Sequence, residues 1–363
     1  MVHPKPSTAR EALPAWVEPL RQSVDEASDL GALERAASGL PRAVARHLAG
    51  NAAAGAATAA TAAISALNDA VTVRAVHAVA AEQGVNLADA CWLVFGSQAR
   101  AEQTLMTDQD NGLVFAAADR DDAERQRPRW MAFGQRVNEV LARCGYPLCD
   151  GLVMAGQPLC CLSVEEWLLR LSHWVAHGDG NDLFAARIYF DLRALAGRTE
   201  LAAPLQALLR SEAAAVPRFI KQMADAVLCK AVPLGWLGHV VTAEHEGQPV
   251  FDLKMSGTAL FVDAARLWAL AHRLPEVGTV ARLVAAAPRL GVPRAELHEW
   301  VNGFETLQRL RLHMQGMHLG DVEPSQRTRV RWEDFGPAER GELKQALRAA
   351  RLVRQRVELD YRR

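Results

Sequence analysis

From Pro14 to about Gln83 the apolar positions follow a helical period, with Leu30, Leu33, Ala37, Leu40 and Val44 on one face. Ala is abundant through residue 82 and favours helix, while Gly50 and Gly55 interrupt the stretch. The pattern predicts two or three helices, the last being Ala70 to Glu82, capped by Asn68-Asp69. So many small side chains would let helices approach closely, within a bundle or across a homodimer. The texture then changes: Cys91-Trp92-Leu93-Val94-Phe95 is an unbroken apolar run ending in Gly96-Ser97, the form of a buried strand. Ala99 to Met106 predicts one or two helical turns, and Asn111 to Ala116 a second strand. Residues 119–129, charged and containing Pro128, read as a connection. Trp130 to Cys144 has helical periodicity, Gly145-Tyr146-Pro147 breaks it, and Leu148 to Ala155 suits a third strand. These alternating elements predict a compact α/β unit of about 65 residues.

Beyond Ser163 the periodicity is helical again. Predicted helices cover Val164 to Ala176, Asp182 to Ala196, and about 201–230, 257–274, 279–287, 293–314 and 337–361, with Pro or Gly at the breaks. The expected fold class is therefore α+β, predominantly helical: a small mixed-sheet core at 85–162, between an N-terminal helical region at 1–84 and a C-terminal helical bundle at 163–363. The Trp residues fall mostly on apolar helix faces and read as core.

Composition narrows the function. Half of the 363 residues are hydrophobic, enough for sizeable cores. Lys and Arg total 41 against 42 Asp and Glu, so no overall positive charge recommends a nucleic acid or an anionic membrane as partner. The longest small-residue run, Asn51 to Leu67, is too short and too weakly apolar to cross a bilayer. Met1 to Arg10 has no apolar signal core, and the 6 Cys include no CxxC pair. Both features point to a reducing, cytoplasmic setting.

The informative chemistry is Gly96-Ser97, ten intervening residues, then Asp108-Gln109-Asp110. On extended backbone, residues two apart share a face, so both carboxylates project together. Paired hard oxygens suit Mg²⁺, or Mn²⁺, alongside substrate phosphates. Gly96 admits close backbone approach, and Ser97 with the amides after it can cradle phosphate. The same residues could also be only a polar hairpin turn. Arg100, one helical turn past Ser97, could neutralise phosphate or pair with Glu102. Asp150, on the predicted third strand, is a candidate catalytic base. Lys254, Arg266 and Arg193 could reach phosphate across an interdomain cleft. His173 and His177 share a helix face but lack the Glu of a zinc-hydrolase helix, since Trp174 follows the first His. The Arg-rich stretch from Arg348 reads as a solvated helix face.

The segment Trp92 to Ala116, WLVFGSQARAEQTLMTDQDNGLVFA, resembles the DUF294 nucleotidyltransferases, relatives of the PII-protein uridylyltransferase in the DNA polymerase β-like superfamily. Similarity continues at Ile64 to Asp69, Gly145 to Cys149, Gly151 to Ala155 and Phe190 to Arg193. It resumes in the C-terminal half at Asp252-Leu253-Lys254, Gly257, Ala265-Arg266-Leu267 and Leu310-Arg311-Leu312 with Gln315. The resemblance implies Mg²⁺-dependent transfer of a nucleotidyl group from an NTP to a protein, such as a PII-like regulator, or to a small acceptor. It implies metal binding by Asp108 and Asp110 and a triphosphate at Gly96 and Ser97. At Asp150 the resembling proteins commonly carry Pro, so this candidate rests on its predicted place alone. CBS domains, frequent partners of the family, are not evident. Without a third carboxylate, the alternative is an inactive nucleotide-sensing protein of the same fold.

Overall fold

The computed structural model describes residues 13–48, 55–178, 182, 186–319 and 328–362. The expectations for Met1 to Arg10 and for Gly50 lie outside them. Three helices open the chain: Val17–Asp25, Leu30–Leu48 and Ala56–Gln83. The third runs straight through Asn68-Asp69, which therefore cap nothing. Asn68 is buried inside the helix and bonds to Gln103 Oε1 (3.1 Å) and to the Tyr146 hydroxyl (2.8 Å). The small side chains of this helix do permit close approach, and the neighbours are other helices of the same chain.

The four-stranded sheet has the order β3-β2-β1-β4, with β1 Ala90–Phe95, β2 Asn111–Phe115, β3 Cys161–Ser163 and β4 Leu192–Gly197. The β1 strand is central and antiparallel to β2 and β4, while β2 and β3 run parallel. Every residue of β1 is buried because both sheet faces are covered. Trp92 and Val94 pack with the N-terminal helices, whereas Cys91, Leu93 and Phe95 join the core of the C-terminal half. An unbroken apolar run is what a strand between two cores requires.

Several expectations are corrected. Leu148 to Ala155 is no strand: Leu152 has a φ of 56° and its amide turns back to the Cys149 carbonyl (3.0 Å). The edge of β2 pairs instead with β3, where Leu113 N–H meets the Cys160 carbonyl at 2.7 Å. The predicted helix Asp182 to Ala196 includes residues outside the described set, and its end is β4, which completes the sheet from beyond the 85–162 segment. Residues 119–129 are not a connection, since one helix covers Arg120–Arg143, started by Asp119 accepting from Asp122 N–H (2.8 Å). The turn at Gly96–Ala99 ends before Met106. The C-terminal half also holds a small second sheet of Ala243–His245, Gln248–Asp252 and Arg329–Arg331. Among the Trp residues, Trp236 is 95% exposed and belongs to no core. No described helix is long and apolar enough to cross a membrane.

The C-terminal bundle includes Ala259–Ala271, Thr279–Leu290, Arg294–Met317 and Pro337–Tyr361. It is tied to the core through Asp191, fully buried just before β4. Asp191 accepts from Arg100 Nη1 (2.5 Å), Arg282 Nη1 (2.5 Å) and both Nε and Nη2 of Arg266 (3.0 and 2.5 Å). Glu102 extends the network, accepting from Arg100 Nε (2.7 Å) and from Thr279 N–H (2.5 Å) at a helix start. Asp263 extends it at the other end, accepting from Arg266 Nη1 (2.6 Å) and Lys230.

The three guanidinium groups hold the Asp191 carboxyl well below the ordinary carboxylate range. Its contribution to stability is present above the unfolded carboxylate range and is lost as pH falls through the depressed folded-state value. Asp191→Asn should leave buried cations uncompensated and cost about 3–5 kcal/mol in denaturant unfolding at neutral pH. A cost below about 1 kcal/mol would contradict this role.

Candidate active site

Between the core and the C-terminal bundle lies a cavity of about 400 Å³, within the size range of small-molecule sites. Thr107 to Asn111 leads into β2 along it, and side-chain directions alternate. Gln109 and Asn111 turn inward to Asn138, whose Nδ2 donates to their carbonyl oxygens at 2.8 and 2.9 Å. Gln109 Nε2 also bonds to the Tyr146 carbonyl (2.8 Å), and Asn111 Oδ1 accepts from Ala155 N–H (2.8 Å). This buried amide network fixes the register, so Asp108 and Asp110 face the cavity together. The expectation of two carboxylates on one face is met, and the polar run is more than a hairpin turn.

One ligand atom each from Asp108, Asp110 and Cys149 lies within 4.8 Å of the others. Cys149 Sγ donates to Asp110 Oδ1 at 3.5 Å. Burial and then the Asp108 charge push the Asp110 carboxyl up to about 7, against the opposing pull of Lys254. Burial pushes the Cys149 thiol up to about 11, aided by the Asp110 charge, so the sulfur is a neutral donor. Two crowded hard oxygens beside a phosphate-sized space fit Mg²⁺ or Mn²⁺, and a neutral thiol does not compete for such an ion.

Gly96 is required where it stands. Its φ is +54°, and an added Cβ would come within 3.0 Å of Asp110 Oδ2 and 3.3 Å of Ile188 Cγ1. Ser97 lines the cavity beside it, and among the described residues its hydroxyl has no hydrogen-bond partner. Lys254 also lines the cavity, in a π-helical stretch Leu253–Thr258 entered through Asp252, which accepts from Lys254 N–H at 2.9 Å.

The other candidates are placed differently. Arg100 and Arg266 reach the cavity wall, but their guanidinium groups are committed to Glu102, Asp191 and Asp263. Arg193 lines no part of this cavity and pairs with Asp69 (2.8 Å). Asp150 sits on an exposed turn at the cavity, not on a strand. Sequence reasoning gave no role to Cys149 or to Arg311, which also lines the cavity. The signal for Arg311 was available, since it continues the buried helix face of Phe304, Leu307 and Met314 and interrupts it with a charge.

Residues 39–181 match the family described as "Putative nucleotidyltransferase DUF294", and residues 217–361 match its companion "Putative nucleotidyltransferase substrate binding domain". The chain belongs to the DUF294 nucleotidyltransferase family. No curated protein matches it. The two matched DUF294 segments meet at the cavity, the first carrying Gly96, Ser97, Asp108 and Asp110, the second Lys254, Arg266 and Arg311.

The raised Asp110 value has a measurable consequence for this DUF294 protein. A carboxyl raised in the folded state stabilises below the unfolded carboxylate value, and that contribution is lost as pH rises through about 7. In EDTA, thermal melts of the wild type should therefore fall between pH 5 and 8. Asp110→Asn should flatten the fall and melt higher than wild type at pH 8; identical pH profiles would contradict the assignment.

Proposed function

We propose that the protein transfers a nucleotidyl group from an NTP to a protein acceptor, such as a PII-like regulator, or to a small molecule, in a cytoplasmic setting. The observation that carries this reading is the shared orientation of Asp108 and Asp110 into one cavity with Gly96 and Ser97. Asp108 and Asp110 would hold Mg²⁺ or Mn²⁺. When bound, the ion would stabilise negative charge on the oxygens around the transferring phosphorus.

The chain's own residues supply the rest. Gly96 lets backbone come close to the phosphates, and the free Ser97 hydroxyl offers them a hydrogen bond. The acceptor hydroxyl oxygen forms a bond to the α-phosphorus, and the bond to the bridging α–β oxygen breaks, releasing pyrophosphate. Asp150, exposed on its turn, meets the acceptor and takes the hydroxyl proton. Enclosure between core and bundle keeps water from replacing the acceptor.

The test is incubation of the protein with each α-labelled NTP, Mg²⁺ and host lysate. Asp108→Ala and Asp110→Ala should each lower label transfer by about 100-fold or more. Asp150→Asn should raise the acceptor KM or lower kcat while leaving NTP binding intact. Equal transfer by wild type and both alanine variants would overturn the reading. Saturable NTP binding with no pyrophosphate release under any acceptor would favour a nucleotide sensor.

A further inference from the structure

Arg311 lies on the helix Arg294–Met317, 9% exposed, in the wall of the cavity. Its Nη1 donates to Gln308 Oε1 at 3.0 Å and its Nη2 to Thr104 Oγ1 at 3.2 Å. Both acceptors are neutral. The buried Nε has no hydrogen-bond partner, and no carboxylate reaches Arg311 at ion-pair distance among the described residues. Asp252, Glu102 and Asp108 act on it only at longer range, and burial lowers its pKa to about 10.

This is an expensive arrangement for a cation. The other buried arginines of the cavity wall show the contrast, since Arg100 and Arg266 are neutralised by Glu102, Asp191 and Asp263. Lys254 resembles Arg311: it is exposed into the same cavity and makes no ion pair among the described residues. Besides Asp108 and Asp110, the cavity is thus lined by two cations without an ion-pair partner among the described residues, Arg311 and Lys254, which these acids influence only at longer range. A metal-bound triphosphate carries more negative charge than one divalent ion offsets. A guanidinium fork matches phosphate oxygens in a way that Gln308 and Thr104 do not.

We propose that Arg311, with Lys254, binds the non-transferred phosphates of the NTP and hence the departing pyrophosphate. This rests on the nucleotidyltransferase reading for its substrate, but the anion site can be measured without catalysis. The probe is inorganic tripolyphosphate with Mn²⁺, titrated calorimetrically into the full chain, with Mn²⁺ alone as the control.

Arg311→Gln should weaken tripolyphosphate binding by about 30-fold, and Arg311→Lys, which keeps the charge without the fork, by less. Mn²⁺ binding alone should stay within about 2-fold of wild type in both. Without ligand, Arg311→Gln should melt at or above the wild-type temperature, because no ion pair is broken; a purely structural arginine would lower it. Tripolyphosphate binding within about 3-fold of wild type for Arg311→Gln overturns the proposal. So does a marked loss of melting temperature together with full tripolyphosphate affinity in Arg311→Lys. Arg311-dependent tripolyphosphate binding without nucleotidyl transfer would leave the anion site standing and remove the catalytic reading. Transfer with an unchanged NTP KM in Arg311→Gln would do the reverse.

Discussion

A single buried carboxylate, Asp191, determines how the two halves of the molecule meet. It receives Arg100 from the loop after β1, and Arg266 and Arg282 from two helices of the C-terminal bundle. Three cations around one fully buried anion are stable only if each also finds another partner. Glu102 serves Arg100, Asp263 serves Arg266, and the Glu276 carbonyl serves Arg282. Because these partners lie on different elements, satisfying their charges fixes where the bundle sits. The cavity wall follows from that position: the acids of the core on one side, Lys254 and Arg311 on the other.

The same logic explains why the long polar block around residues 97–111 is so rich in functional-looking groups. Most of them are architectural. Gln98 bonds to Asp69 (3.0 Å), Gln103 to Asn68, and Gln109 and Asn111 to Asn138. Glu102 holds Arg100 and a helix start. The side chains of this block that face the cavity and are not tied into the architecture in this way are Ser97, Asp108 and Asp110. Among the described residues the Asp110 carboxylate accepts only from the Cys149 thiol (3.5 Å), and its burial beside Asp108 raises its pKa.

Much of the architecture was legible in the chain. Helical periodicity marked the N-terminal helices and most of the bundle, and the apolar run at Cys91 to Phe95 marked the central strand. What misled were features that depend on distant partners. Leu148 to Ala155 is apolar enough for a strand, but β2 takes Cys161 to Ser163 as its neighbour. Leu192 to Gly197 carries helix-forming Ala and Leu, yet its pairing with β1 makes it extended. For the site, residues two apart on one face predicted directly that Asp108 and Asp110 share one cavity. Arg100 and Arg266 looked available for phosphate because their neutralising carboxylates, Asp191 and Asp263, are revealed only by tertiary contact. Arg311 was marked in the chain only as a charge interrupting a buried helix face, and its lack of a counter-charge is visible only in the tertiary structure.

The most direct measurement is a crystal structure of the wild type grown with Mn²⁺ and a non-hydrolysable NTP analogue, using the anomalous signal of manganese. The account predicts a manganese peak coordinated by Asp108 and Asp110, with the polyphosphate passing Gly96 and Ser97 inside the cavity between core and bundle. Nucleotide bound elsewhere, or manganese remote from both aspartates, would contradict it.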